Sequence, residues 1–185
     1  MMEQSSDWLD EVQQKLHRKN QILFSKESPI LQELSFFIAE EDRRALVLWA
    51  LELAQEDAKI LQKQYPEEQR PQQAVAAARQ WASGKIKMPQ AKPAILSCHA
   101  LARELTSPED IALCHAIGQG CSVIHTPRHA LGLPIYELTS IVRRVGVENC
   151  RKPVEQRATK YVETLLYWHT HWKEFPGEWA AFLCR

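Results

Sequence analysis

An all-α fold, a compact bundle of about seven or eight helices joined by short loops, is what this sequence predicts. Three observations carry that reading. Apolar residues recur at three- and four-residue spacing along nearly the whole chain. No run of four or more residues alternates as a strand, and no Asn-Gly or Asp-Gly hairpin turn occurs. Breaks between the periodic segments are marked by a capping side chain followed by proline, the signature of a helix start.

Each segment follows from its own signals. Ser6 precedes Trp8, Leu9, Val12 and Leu16, one apolar stripe. Ser28-Pro29 restarts the chain as a short helix through Ile38. Asp42 opens a long segment carrying Leu46, Trp49, Leu53 and Ile60, which Tyr65-Pro66 stops. Arg70-Pro71 opens an alanine-rich helix ending near Ser83-Gly84, and a polar loop with Pro89 and Pro93 is expected after it. Ala94–Leu105 reads as the next helix. Ser107-Pro108-Glu109-Asp110 is a strong start, with acids where the helix dipole favours them. Thr126-Pro127 repeats the device for a helix that Val145-Gly146-Val147 ends. Pro153 starts a last long segment through Phe175, and Pro176-Gly177 leaves an aromatic tail with Trp179 and Phe182.

The 185 residues fit one domain, 1–185, able to bury roughly 70% of its unfolded surface. Lys+Arg and Asp+Glu both number 23, so the formal net charge is zero. Nucleic-acid binding, which needs a basic surface, is not expected, and self-association is permitted because copies repel little. No stretch is long and apolar enough for a membrane span; the best, Ala45–Ala54, is interrupted by Glu52. Five scattered cysteines without a CxxC pair, and a charged start without a leader, point to free thiols in the cytoplasm.

The densest chemistry lies between Gly118 and Gly132, where His125, His129, Cys121 and three glycines fall within fifteen residues. His125 and His129 are four apart, but Pro127 divides them between two elements. Even with His99, His115 or Cys121 as a third ligand the segment has no carboxylate and no HExxH context, so no metal or cofactor is expected. The imidazoles are expected to pack and bond to backbone carbonyls. Cys121 and His125 lack an orienting group and an oxyanion hole, so no catalytic set is expected. Cys98-His99 and Cys114-His115 are adjacent pairs whose side chains diverge by about 100° on a helix. Mid-helix glycines cost about 1 kcal/mol each relative to alanine and predict close helix packing. Glu52 is a charge between Leu51 and Leu53, and Arg70 is expected to form a salt bridge tying the long helix to its corner, with a ligand-binding arginine as the alternative. Glu52, Arg70, His99, His125 and His129 are thus the candidate polar cluster. Tyr167, Trp168, Trp172 and Trp179 exceed what a core face needs and are the candidate partner-binding residues.

The ordered motifs resemble a known family. They run D-R-R-A-L-V-L-W-A (Asp42–Ala50), Tyr65-Pro66, R-P-Q-Q-A (Arg70–Ala74) and A-A-R-Q-W (Ala77–Trp81). After these come H-A-L-A-R-E (His99–Glu104), Gly118-Gln119, H-T-P-R-H-A-L-G (His125–Gly132) and Tyr136. In this order they are similar to the Imm-5-like family of immunity proteins, small bacterial helical proteins associated with polymorphic toxin systems. The resemblance covers about Asp42 to Val142. Gln69 and Gln62 stand where the family pattern favours acids. It implies stoichiometric binding of a cognate protein toxin and no enzymatic turnover. For a basic toxin, Glu67-Glu68 and Glu40-Glu41-Asp42 are the nearest acidic runs. The competing reading is a small helical ligand- or metal-binding protein or enzyme with a histidine-rich internal pocket.

Overall fold

A computed structural model describes residues 7–185, and in it every regular element is helical. Eight α-helices run in chain order: α1 Trp8–His17, α2 Gln32–Glu40, α3 Arg43–Gln64, α4 Arg70–Ala82, α5 Met88–Leu101, α6 Pro108–Ser122, α7 Gly132–Val145 and α8 Arg151–His171. From α3 onward each helix lies against its successor. α3 also packs on α6 and α8, and so sits at the centre of the bundle.

Local chemistry sets most of the boundaries. Asp42 caps α3 by accepting from the Arg44 N–H at 2.8 Å, and Ser107 caps α6 through the Asp110 N–H at 3.3 Å. Gly146 ends α7 at φ +82°, a conformation that a side chain strains. The Ser6 cap lies outside the described residues; Asp7 accepts from the Leu9 N–H there.

Three boundaries differ from expectation. The polar loop with Pro89 and Pro93 is the start of α5, which begins at Met88 and ends at Leu101. Pro89 sits at the second helical position, where no N–H partner is lost, and Pro93 faces solvent one turn on. Gln90 Oε1 closes the start by accepting from the Lys87 N–H at 2.9 Å. Thr126-Pro127 opens only a 3-10 turn, Pro127–His129, and α7 begins at Gly132. At the last helix, α8 starts at Arg151, two residues before Pro153, and its α-helical part closes at His171.

One core runs from Trp8 and Val12 in α1 to Leu183 near the chain end. Trp49 is completely buried and donates its indole N–H to the Tyr161 carbonyl at 3.0 Å, which locks α3 to α8. The tail folds back on α4. The Ala180 N–H donates to the Ala82 carbonyl at 2.7 Å, and Phe182 lies 6.1 Å from Trp81.

Candidate functional site

The histidine corner is built across α5, α6 and α7. On α5, Cys98 points into the core and His99 toward a cavity; on α6, Cys114 and His115 do the same. Adjacent side chains diverge on one helix, so each pair meets its counterpart across the helix contact. His99 Nδ1 and His115 Nδ1 lie 3.0 Å apart. The Tyr136 ring packs against His115 at 5.1 Å, tilted by 40°.

Only one of two facing Nδ1 atoms can carry a proton, so one imidazole donates and the other accepts. Burial holds His99 down to about 4, and the neighbouring His115 and His129 rings add to this. Burial also lowers His115. Both rings are therefore neutral near pH 7.

Two glycines, Gly118 within α6 and Gly132 at the start of α7, make this arrangement possible. A Cβ on Gly118 would fall 2.2 Å from His99 Nε2, and one on Gly132 would fall 2.5 Å from Gln119 Oε1. That amide oxygen accepts from His129 Nδ1 at 2.8 Å. The close packing predicted for the glycines is present, but its tightest partners at these two positions are polar side chains.

The five predicted polar residues do not form one cluster. His99 and His129 belong to the corner. His125 is exposed and stacks on Trp81 at 6.4 Å. Neither His125 nor His129 bonds a backbone carbonyl as expected. Arg70 does not reach α3; it binds Glu68 and Glu104, each at 2.7 Å, tying the α3–α4 turn to the segment after α5. Beside that clasp Tyr65 donates to Asp110 at 2.8 Å, a bond that pushes the phenol up to about 12.

Glu52 joins the aromatic set. Its Oε2 accepts from Trp168 Nε1 at 2.6 Å, on the floor of a groove of about 770 Å³ between α3, α4 and the tail. Leu48, Leu51 and Trp168 line it from the helices, and Phe175 and Trp179 from the tail. Tyr167 stands nearby, half exposed and stacked on His171 at 4.3 Å. Trp172 is already taken, since the Arg44 guanidinium covers its ring at 3.9 Å. The acidic runs are partly spent internally too: Glu68 on Arg70, Asp42 on Arg44, and Glu41 on His169.

A third polar group has no counterpart among the predicted residues. Arg157 on α8 binds Glu137 on α7 at 2.6 Å and Glu56 on α3 at 2.8 Å. Tyr161 donates to Glu137 at 2.7 Å. Asp57 lies fully buried beside them. Burial, then the Glu137 carboxylate, push its pKa well above that of an ordinary aspartate and so favour its protonated form. No cavity opens on Asp57, and this group holds α3, α7 and α8 together.

Among the described residues no group of three or more His, Cys, Asp or Glu side chains converges as a metal site. Cys121 is completely buried, which pushes its thiol up to about 12, and it does not meet His125. Among the described residues no helix is long and apolar enough to cross a membrane.

Set beside known families, residues 37–164 match the Imm-5 like putative immunity protein model. The chain belongs to this family. The match runs 22 residues further along the chain than the motifs from Asp42 to Val142, and takes in Arg157 and Tyr161 of α8. No curated protein and no solved structure matches. For this Imm-5 like chain the family region contains the whole histidine corner and the buried Arg157 group. Of the groove it contains the α3 and α4 walls but not Trp168, Phe175 or Trp179.

Proposed function

We propose that the protein is an immunity protein that binds a cognate bacterial toxin in the cytoplasm and neutralises it by occupancy, without turnover. The groove between α3, α4 and the C-terminal tail is its contact surface. The observation that carries the surface is the joining of Glu52 with Trp168 and Trp179 in one accessible groove.

Its make-up suits a protein partner. An apolar floor of Leu48, Leu51 and the two tryptophans is edged by charges of both signs, Glu56 and Glu178 against Lys59, Arg79 and Lys85. An apolar centre with a polar rim is the usual anatomy of an interface, and tryptophan and tyrosine dominate binding hot spots. Family membership supports a toxin as the occupant.

Co-expression with each toxin candidate encoded beside the gene tests the reading: one of them is expected to lose its toxicity and to bind the purified protein one to one. Rescue and binding by none of them would sink it. Trp179→Ala and Tyr167→Ala then test the surface. Each is expected to weaken binding about tenfold or more while the unfolding midpoint moves little. Unchanged affinity in both variants would move the contact elsewhere on the molecule.

A further inference from the structure

We propose that the cavity between α5, α6 and α7 binds a small organic anion, a carboxylate carried on an apolar or aromatic body. The cavity measures about 880 Å³, within the size range of small-molecule sites. Four ionisable side chains besides Tyr136 line it, namely His99, His115, Arg103 and Arg143, and its lining contains no carboxylate.

The two arginines lack a counter-charge. Arg143 is half-buried, and its guanidinium donates only to the backbone carbonyls of Asn20 and Gln21, at 2.7 and 3.2 Å. Neither Arg103 nor Arg143 has an acidic group within 4 Å among the described residues. The nearby acids are matched elsewhere, Glu104 to Arg70 and Asp110 to Tyr65 and Arg144. A partly buried guanidinium gains most from a carboxylate that reaches its fork.

Both arginines line the same cavity. Arg103 stands in the turn just past the end of α5, which leads to α6, and Arg143 follows Tyr136 by two turns on α7, about 10 Å along the axis. Both therefore lie toward the start of α6, while His99, His115 and Tyr136 lie deeper along the bundle. A carboxylate at the arginines leaves its body to run over the tilted His115 and Tyr136 rings and against Ile111 and Leu96. Because burial keeps the imidazoles uncharged, that part of the wall suits an uncharged body. This site is separate from the toxin groove and does not depend on it.

Titration calorimetry with benzoate and octanoate, followed by the ring signals of His99 and His115 in NMR spectra, tests the site. One of the two anions is expected to bind one to one and shift both ring signals. Benzamide, the same body without charge, is expected to bind at least about tenfold more weakly than benzoate, and octanamide likewise against octanoate. Arg143→Gln keeps a donor for the two carbonyls and is expected to weaken the anion about tenfold. Arg103→Gln removes an exposed side chain that holds no other group, so it carries the test should the first variant unfold. Absence of saturable binding up to about 10 mM, equal affinity for anion and amide, or full affinity in Arg103→Gln and every folded Arg143→Gln sample overturns the proposal.

Discussion

The histidine corner and the Arg157 group are both polar clusters at helix contacts, and both draw on α7, yet they are opposite kinds of object. The corner is neutral, half-open and seated on glycine. Around Arg157 the group is charged and mostly buried, with Asp57 and Glu137 inside and Glu56 reaching the edge of the groove. Its charges are largely matched to one another between α3, α7 and α8, so their worth is structural. Uncharged rings facing a cavity leave the neighbouring arginines unanswered, and that is the condition for a ligand. Access and charge balance, more than the number of polar residues, separate a site from a staple.

The sharpest way to break this contrast is Arg157→Ala. Removing the cation leaves the buried Glu137 carboxylate uncompensated, and a loss of about 3–5 kcal/mol in denaturant unfolding is expected. A loss below about 1 kcal/mol would show that water enters the group.

Gly118→Ala probes the other cluster. Its new Cβ would fall 2.2 Å from His99 Nε2, so the ring must leave its seat. An overpacking cost of about 1–3 kcal/mol is expected, together with loss of the His99–His115 contact in NMR spectra. An unchanged His99 ring signal would show that the glycine serves helix packing alone.

The smallest effect is the most discriminating, because the two clusters give stability–pH slopes of opposite sign. Folding raises the pKa of Asp57, so the folded state binds the extra proton. Its contribution is complete below the unfolded carboxyl range, near pH 4, and is lost as pH rises toward the folded pKa. His99 behaves in the reverse sense. Folding lowers it from about 6.5 to about 4, so its contribution is present above pH 6.5 and is lost as pH falls through that window. Asp57→Asn is therefore expected to remove a fall in stability as pH rises above about 4, and His99→Gln to remove a fall as pH drops from 6.5 to about 4. The same slopes in both variants would remove the distinction.

Much of the fold was legible because helix starts are local. Asp42 and Ser107 each cap a helix through a bond within a few residues. Proline was the ambiguous signal: at Pro89 and Pro93 it suits a loop as well as a first turn, and only the Lys87–Gln90 bond decides. The corner was partly legible, since Gly118, His99 and His129 stand out by type. His115 stood out only beside Cys114 and as a possible third ligand, and its contact with His99 was not legible because that partner lies sixteen residues away. Glu137 was invisible. It sits in an ordinary helical run, and its partners Arg157, Tyr161 and Asp57 come from two other helices.

The folded-back tail gives the groove an unusual mechanical property. One wall belongs to the 22-residue central helix, the other to a strap returning from the chain end, anchored by the Ala180–Ala82 bond and by Phe182 beside Trp81. Anything filling the groove bridges the middle of the chain to its end. Filling the groove is then expected to hold the strap against the bundle and to slow amide exchange at the Ala180 N–H, which is bonded to the Ala82 carbonyl.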